Sequence, residues 1–169
     1  GRRFDLPFIL ERCRQLQIFC PLSSFSEFDL YQNIRPLKKL LKLENLTQRY
    51  LEQYLGIYRL DSCSGKQMIA MYHSYQKQFS SQLETALLLH NYEDLIGMTS
   101  IVSLLSFHSL KEGNFSLKSV VPIEDPVHGF SLKISVTLPY VLPVPVSFQN
   151  IYGAFSAKEK ECHFLIFGI

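Results

Sequence analysis

Apolar residues recur at helical spacing through the first two-thirds of the chain and at alternate positions in the last third, so the sequence predicts helices followed by strands. Pro7 suits the first turn of a helix, with Asp5 as its cap, and Phe8, Ile9, Cys13 and Leu16 then lie on one face. Leu37, Leu40 and Leu41 form a second stripe. Thr47 caps a third helix, which carries Leu51 and Leu55 and is closed by Gly56. A fourth spans Gly65 to Gln78, with Met68, Met71, Tyr72 and Tyr75 inward. A fifth starts at Ser80 or Ser81 and runs through Leu87, His90 and Asp94 toward Leu105, where the internal Gly97 predicts a break or close packing. After the turn at Lys111–Asn114 the period falls to two: Phe115, Leu117 and Val120, then Phe130, Leu132, Ile134, Val136 and Leu138. Pro139, Pro143 and Pro145 make Tyr140–Val146 an extended linker or edge, and Phe164–Phe167 reads as a last strand. The division expected is a helical part over 1–110 and a β-rich, incomplete appendage over 111–169.

With 169 residues, nearly half of them hydrophobic, the chain has material for a core and is not a disordered polyanion or polycation. Its most apolar stretch, Ile96–Leu110, carries Ser100, Ser103, Ser106 and His108 and is too short to cross a bilayer, so no membrane partner is expected. The N-terminus opens Gly-Arg-Arg-Phe-Asp without the apolar run of a signal peptide or an initiator Met, as in an excised or incomplete chain. Cys13, Cys20, Cys63 and Cys162 form no Cys-x-x-Cys pair and read as free thiols in a reducing, cytoplasmic compartment. The small net charge hides a gradient: residues 1–60 hold ten Lys or Arg against six Asp or Glu, which fits a polyanionic partner without requiring one.

The candidate chemistry starts from carboxylates. His90 and Asp94 are four apart and share a helical face, a pairing suited to metal-assisted hydrolysis: the carboxylate holds a hard cation and the imidazole takes a proton from the attacking water. The same spacing equally describes a structural ion pair, and Asp5 equally describes a helix cap. Arg35, Lys38, Lys39 and Lys42 line one face opposite Leu37, Leu40 and Leu41; phosphate contact and a plain solvated face are the two readings, with the second the commoner. Tyr50, Tyr54, Tyr58, Tyr72 and Tyr75 could stack on bases, but packing is the usual role of such a series. Cys162 and His163 are adjacent and so face opposite sides of a strand, which argues against a shared metal.

The motifs in order resemble a known family. Phe4-Asp5-Leu6-Pro7-Phe8 followed by Glu11-Arg12-Cys13 resembles the second exonuclease motif of the YprB-type ribonuclease-H-like family, within the wider DEDD superfamily of 3′–5′ exonucleases. Asp29-Leu30 is similar to its next acidic element. Leu46 to Glu52, Leu55-Gly56-Ile57-x-Arg59 and Asp61-x-x-Ser64-Gly65 are similar to its intervening helices and loop, and His90-Asn91-x-x-Asp94-x-x-x-Met98 to its third motif. The resemblance spans Phe4 to Ser106. It implies an α/β, ribonuclease-H-like fold and a metal-dependent 3′–5′ exonuclease acting on single-stranded DNA or RNA ends with two Mg²⁺ or Mn²⁺ ions. Asp5 and Asp94 would be metal ligands, His90 the base, and Asp29 a weaker candidate.

The first motif of that family, Asp-x-Glu, is absent: none of Asp5, Asp29, Asp61, Asp94 or Asp125 is followed two residues later by Glu. Two carboxylates fall short of the roughly six oxygen ligands a hard divalent cation takes. The expectation is therefore an N-terminally incomplete fold, inactive by itself, with helical apolar faces left uncovered where sheet is missing. The rival readings are a non-catalytic nucleic-acid-binding module and an all-helical interaction domain.

Overall fold

The computed structural model describes residues 5–125 and 129–168, and of Asp5, Ser23 and Asp125 only the backbone. Among the described residues six α-helices come first: α1 (Asp5–Gln15), α2 (Leu30–Ile34), α3 (Gln48–Tyr54), α4 (Gly65–Lys77), α5 (Ser81–Ile101) and α6 (His108–Glu112). Five strands follow: β1 (Ser116–Asp125), β2 (Gly129–Thr137), β3 (Val146–Asn150), β4 (Gly153–Lys158) and β5 (Glu161–Phe167). They form one antiparallel sheet in the order β1-β2-β5-β4-β3.

Local chemistry explains most boundaries. Ser64 and Gln67 form a reciprocal capping box at the start of α4, each side chain satisfying an amide the helix leaves open. Ser80 caps α5 through the Leu83 amide. Gly56, at φ 77°, takes the left-handed position after α3, and the Ile57 and Gly56 amides close back on the Glu52 and Gln53 carbonyls, a Schellman stop. Thr47 holds the cap position of α3, but its hydroxyl bonds to Asn45 rather than to the helix.

Two expectations are corrected and a third is refined. The stripe through Leu37, Leu40 and Leu41 is not a regular helix: α2 passes into a 3₁₀ turn at Arg35–Leu37, and the chain stops at Lys42, which sits at φ 51° while Leu43 bonds back to the Lys38 carbonyl. The residue pattern was amphipathic, but Pro36 and the left-handed stop leave only a short coil. Tyr72 is exposed rather than inward, because only the Met68 side of α4 meets its neighbours. The fifth helix stays α-helical to Ile101 and continues to Phe107 as 3₁₀.

The β3–β4 hairpin was not among the expected elements: it follows directly on the proline-rich stretch, and its strands are only five and six residues long. Asn150 organises its turn by accepting from the Tyr152 and Gly153 amides. Gly153 is required there, since a Cβ would stand 2.2 Å from the Leu165 carbonyl oxygen on the neighbouring strand. The strand expected at Phe164–Phe167 begins earlier, at Glu161, and is the central one.

One apolar core joins the helices to a face of the sheet. Ile34, Leu37, Leu104 and Phe107 meet Val136, Leu138, Phe155 and Cys162. Full burial of side chains of this size contributes about 1.5–3 kcal/mol each. Burial pushes the Cys162 thiol up to about 11, so it behaves as a small hydrophobe rather than a reactive group. α5 packs against α3 and α4 while Leu88, Tyr92 and Leu95, at i, i+4 and i+7, face solvent. No helix among the described residues is long and apolar enough to cross a membrane.

Candidate functional site

The site grows from the turn that ends α3. The Schellman stop at Gly56 sends the chain back along α3, so that Arg59 reaches Glu52, seven residues earlier. The guanidinium forks onto the Glu52 carboxylate at 2.5 and 2.7 Å and donates a third bond, 2.6 Å, to Asp94 Oδ1 on α5. Gln48 donates to Glu52 Oε1 at 2.9 Å and to the Asp94 backbone carbonyl at 2.7 Å. The Glu52 side chain is 1% exposed and that of Arg59 8%. Burial alone would raise the Glu52 pKa, but the bonds from Arg59 and Gln48 outweigh it and hold the carboxyl below its ordinary value. The Glu52 hydrogen bond raises the Arg59 pKa in turn, so the pair is ionised.

Gly97 makes this approach possible. It is buried in the last third of α5, and a Cβ there would lie 1.7 Å from Glu52 Oε1 and 3.0 Å from the Gln48 side-chain amide nitrogen. Of the break or close packing expected at this glycine, the structure takes close packing.

Two turns earlier on α5, His90 stands between two carboxylates. Its Nδ1 is 2.6 Å from Asp61 Oδ2, and its Nε2 is 3.5 Å from Asp94 Oδ2. Asp61 is held from several sides: its Oδ1 accepts the Cys63 amide at 2.8 Å, and Arg49 reaches its carbonyl at 3.0 Å. Glu93 clamps the same loop to α5 by accepting the Leu60 and Asp61 amides at 2.8 and 2.9 Å. Burial opposes ionisation of Asp61, but the bonds from His90 and Cys63 prevail and its pKa is lowered.

The expected residues are distributed unevenly over this geometry. His90 and Asp94 are brought together on one face of α5. The side chain of Asp5, the partner the resemblance assigns to Asp94, lies outside the described residues, as does Phe4 of the same motif. Asp29 caps α2 by accepting the Gln32 amide at 3.0 Å and lines an apolar cleft of about 490 Å³ that also touches Gln48, Met98 and Ile101. Arg35, Lys38, Lys39 and Lys42 are exposed between α2 and α3, with the Lys42 ammonium 6.0 Å from the centre of the Phe148 ring on β3. Sequence reasoning missed Glu52, Arg59, Asp61 and Gly97 as members of the site. The signal available was their position within the matched motifs, where they read as helix and loop.

The donor set does not by itself fit a divalent cation. Asp94 Oδ1 is taken by Arg59, both Glu52 oxygens by Arg59 and Gln48, and both Glu93 oxygens by backbone amides. Among the described residues no group of three or more His, Cys, Asp or Glu is placed to hold a metal ion. What the arrangement does supply is an imidazole oriented by a buried carboxylate beside a second carboxylate that is 40% exposed.

Comparison with curated proteins finds no match, and comparison with solved structures finds none. The model of the RNase_H_2 family, described as part of the RNase H superfamily, matches residues 1–106. That match covers more than half of the chain and contains His90, Asp94 and the whole Arg59 network, and the chain belongs to the RNase H superfamily.

Proposed function

We propose that the intact protein is a metal-dependent 3′–5′ exonuclease that hydrolyses phosphodiesters at single-stranded nucleic-acid ends, with residues 1–110 as its nuclease domain and 111–169 as an appendage. Members of the superfamily are typically nucleases, and those with this fold generally use divalent metals. The observation that carries the finer reading is the pairing of His90 and Asp94 on one turn of α5, with Asp61 behind the imidazole. In this reading His90 would accept the proton of the attacking water, and Asp94 together with Asp5 would hold Mg²⁺ or Mn²⁺, which would supply Lewis-acid activation of the phosphate.

In the intact protein, His90→Gln is expected to slow cleavage by on the order of 10²–10⁴, and Asp94→Asn to abolish it, measured as shortening of a 5′-labelled single strand from its 3′ end with Mg²⁺ or Mn²⁺. The 169-residue chain alone is expected to be inactive in the same assay. Full activity in Asp94→Asn would defeat the proposal.

A second reading, a nucleic-acid-binding module without catalysis, is favoured by one specific observation: the carboxylates of the network already have N–H partners. Binding of the single strand by the intact protein with no cleavage under any divalent metal would support it. In either reading the exposed stripe Arg35, Lys38, Lys39 and Lys42 is the proposed phosphate contact. Each such contact contributes roughly 0.7 to the salt slope of single-strand binding, so Lys38→Gln with Lys39→Gln is expected to flatten that slope by roughly 1.4. An unchanged slope would remove the stripe from the interface.

A further inference from the structure

We infer that Asp61 is a positioning residue: it fixes the tautomer of His90, placing the single proton of the neutral ring on Nδ1 and leaving Nε2 as the free base on the side of Asp94. The inference rests on the reading of His90 as proton acceptor, and it names the group that makes that role possible.

The two carboxylates beside the ring are not equivalent. Asp61 Oδ2 lies 2.6 Å from Nδ1, a short charge-assisted hydrogen bond, whereas Asp94 Oδ2 is 3.5 Å from Nε2, at the outer limit of one. An ionised carboxylate only accepts, so the nitrogen at the short distance must carry the hydrogen. Their freedom differs as well. The Asp61 side chain is 5% exposed, and its other oxygen is held by the Cys63 amide. Its backbone is pinned by Glu93 through the Asp61 amide and by Arg49 through the Asp61 carbonyl. Asp94 is 40% exposed, and its other oxygen is drawn toward Arg59. The fixed carboxylate therefore sets the ring, and the looser one faces the nitrogen left unprotonated. An imidazole held this way presents a lone pair at a defined position before any substrate arrives, as a general base requires.

The test uses the 169-residue chain with nitrogen-15-labelled histidine, read by long-range proton–nitrogen NMR at a pH where the His90 spectrum shows a single ring proton. His90→Gln assigns the signals. The expected wild-type result is Nδ1 protonated over Nε2 by about tenfold or more, the preference a hydrogen bond to a charged group supports. Asp94→Asn leaves that ratio unchanged, and Asp61→Asn moves it toward parity. A wild-type ring with mixed or Nε2 protonation overturns the inference, as does a ratio that follows Asp94→Asn instead. Should Asp61→Asn fail to fold, the wild-type and Asp94→Asn spectra still decide. Nuclease assays do not enter this test, so failure here is distinct from failure of the exonuclease reading.

Discussion

Replacing Gly97 with alanine is expected to lower the stability of the chain by on the order of 3 kcal/mol, although alanine is the better helix former. On propensity alone the change inside α5 should stabilise by about 1 kcal/mol. The added carbon would stand 1.7 Å from Glu52 Oε1 and 2.6 Å from Glu52 Cδ, so one partner must move. A glutamate usually swings aside cheaply. Here it is held by two bonds from Arg59 and one from Gln48 and is almost wholly shielded from water. Displacing it uncouples a buried charge from its counter-charge, a cost several times the propensity gain. Thermal or urea unfolding of the variant measures the difference. A Tm equal to or above that of the wild type would show that the Glu52 carboxylate is free to move.

Arg59→Met is expected to be worse still, about 3–5 kcal/mol, because it leaves the Glu52 carboxylate buried without a cation. The Arg59–Asp94 arm adds little to this sum: Asp94 is 40% exposed, and exposed pairs contribute about 0–1 kcal/mol. The diagnostic variant is the double replacement Glu52→Gln with Arg59→Met. It removes both charges and is expected to recover most of the loss, since a neutral amide at position 52 can still meet Gln48. If the double variant is as unstable as the single, shape rather than charge governs the site.

Acidification gives the same answer by another route. The Glu52 pKa is lowered in the folded chain from its usual 4.5. The unfolded state therefore takes up a proton first, and the stability due to this group is full above that value and lost as pH falls through the depressed one. The double variant is expected to lose less stability than the wild type between pH 5 and pH 3, relative to their difference at about pH 7.

How much of this was legible beforehand varied with the kind of signal. Helices with local signals were readable: the start at Gly65, the start at Ser80 or Ser81 and the Gly56 stop need only neighbouring residues, and the structure contains all three. Elements defined by distant partners were not. The segment around Lys42 had an amphipathic pattern, yet its burial is set by the sheet that Leu37 and Leu41 pack against. The β3–β4 hairpin has two short strands, and its place is set by pairing with β5 rather than by a long alternation of its own. At the site, His90 and Asp94 were legible as a pair because helical geometry relates positions four apart. Glu52, Arg59 and Asp61 were not, because a reversal at Gly56 and the packing of α3 on α5 bring them in. A charge that crosses between elements leaves no periodicity in the sequence.

The position of β5 in the sheet has a consequence for assembly. It is the last of the five strands to emerge during synthesis, yet it is the one that joins the two halves: among the described residues β1–β2 on one side and β4–β3 on the other are linked into one ladder through it. Each hairpin can close early from local contacts, but the two wait as separate pieces until residues 161–167 arrive. Until then the Val136 and Phe155 surfaces have no Cys162 and Phe164 to cover them, so the β-rich half matures late.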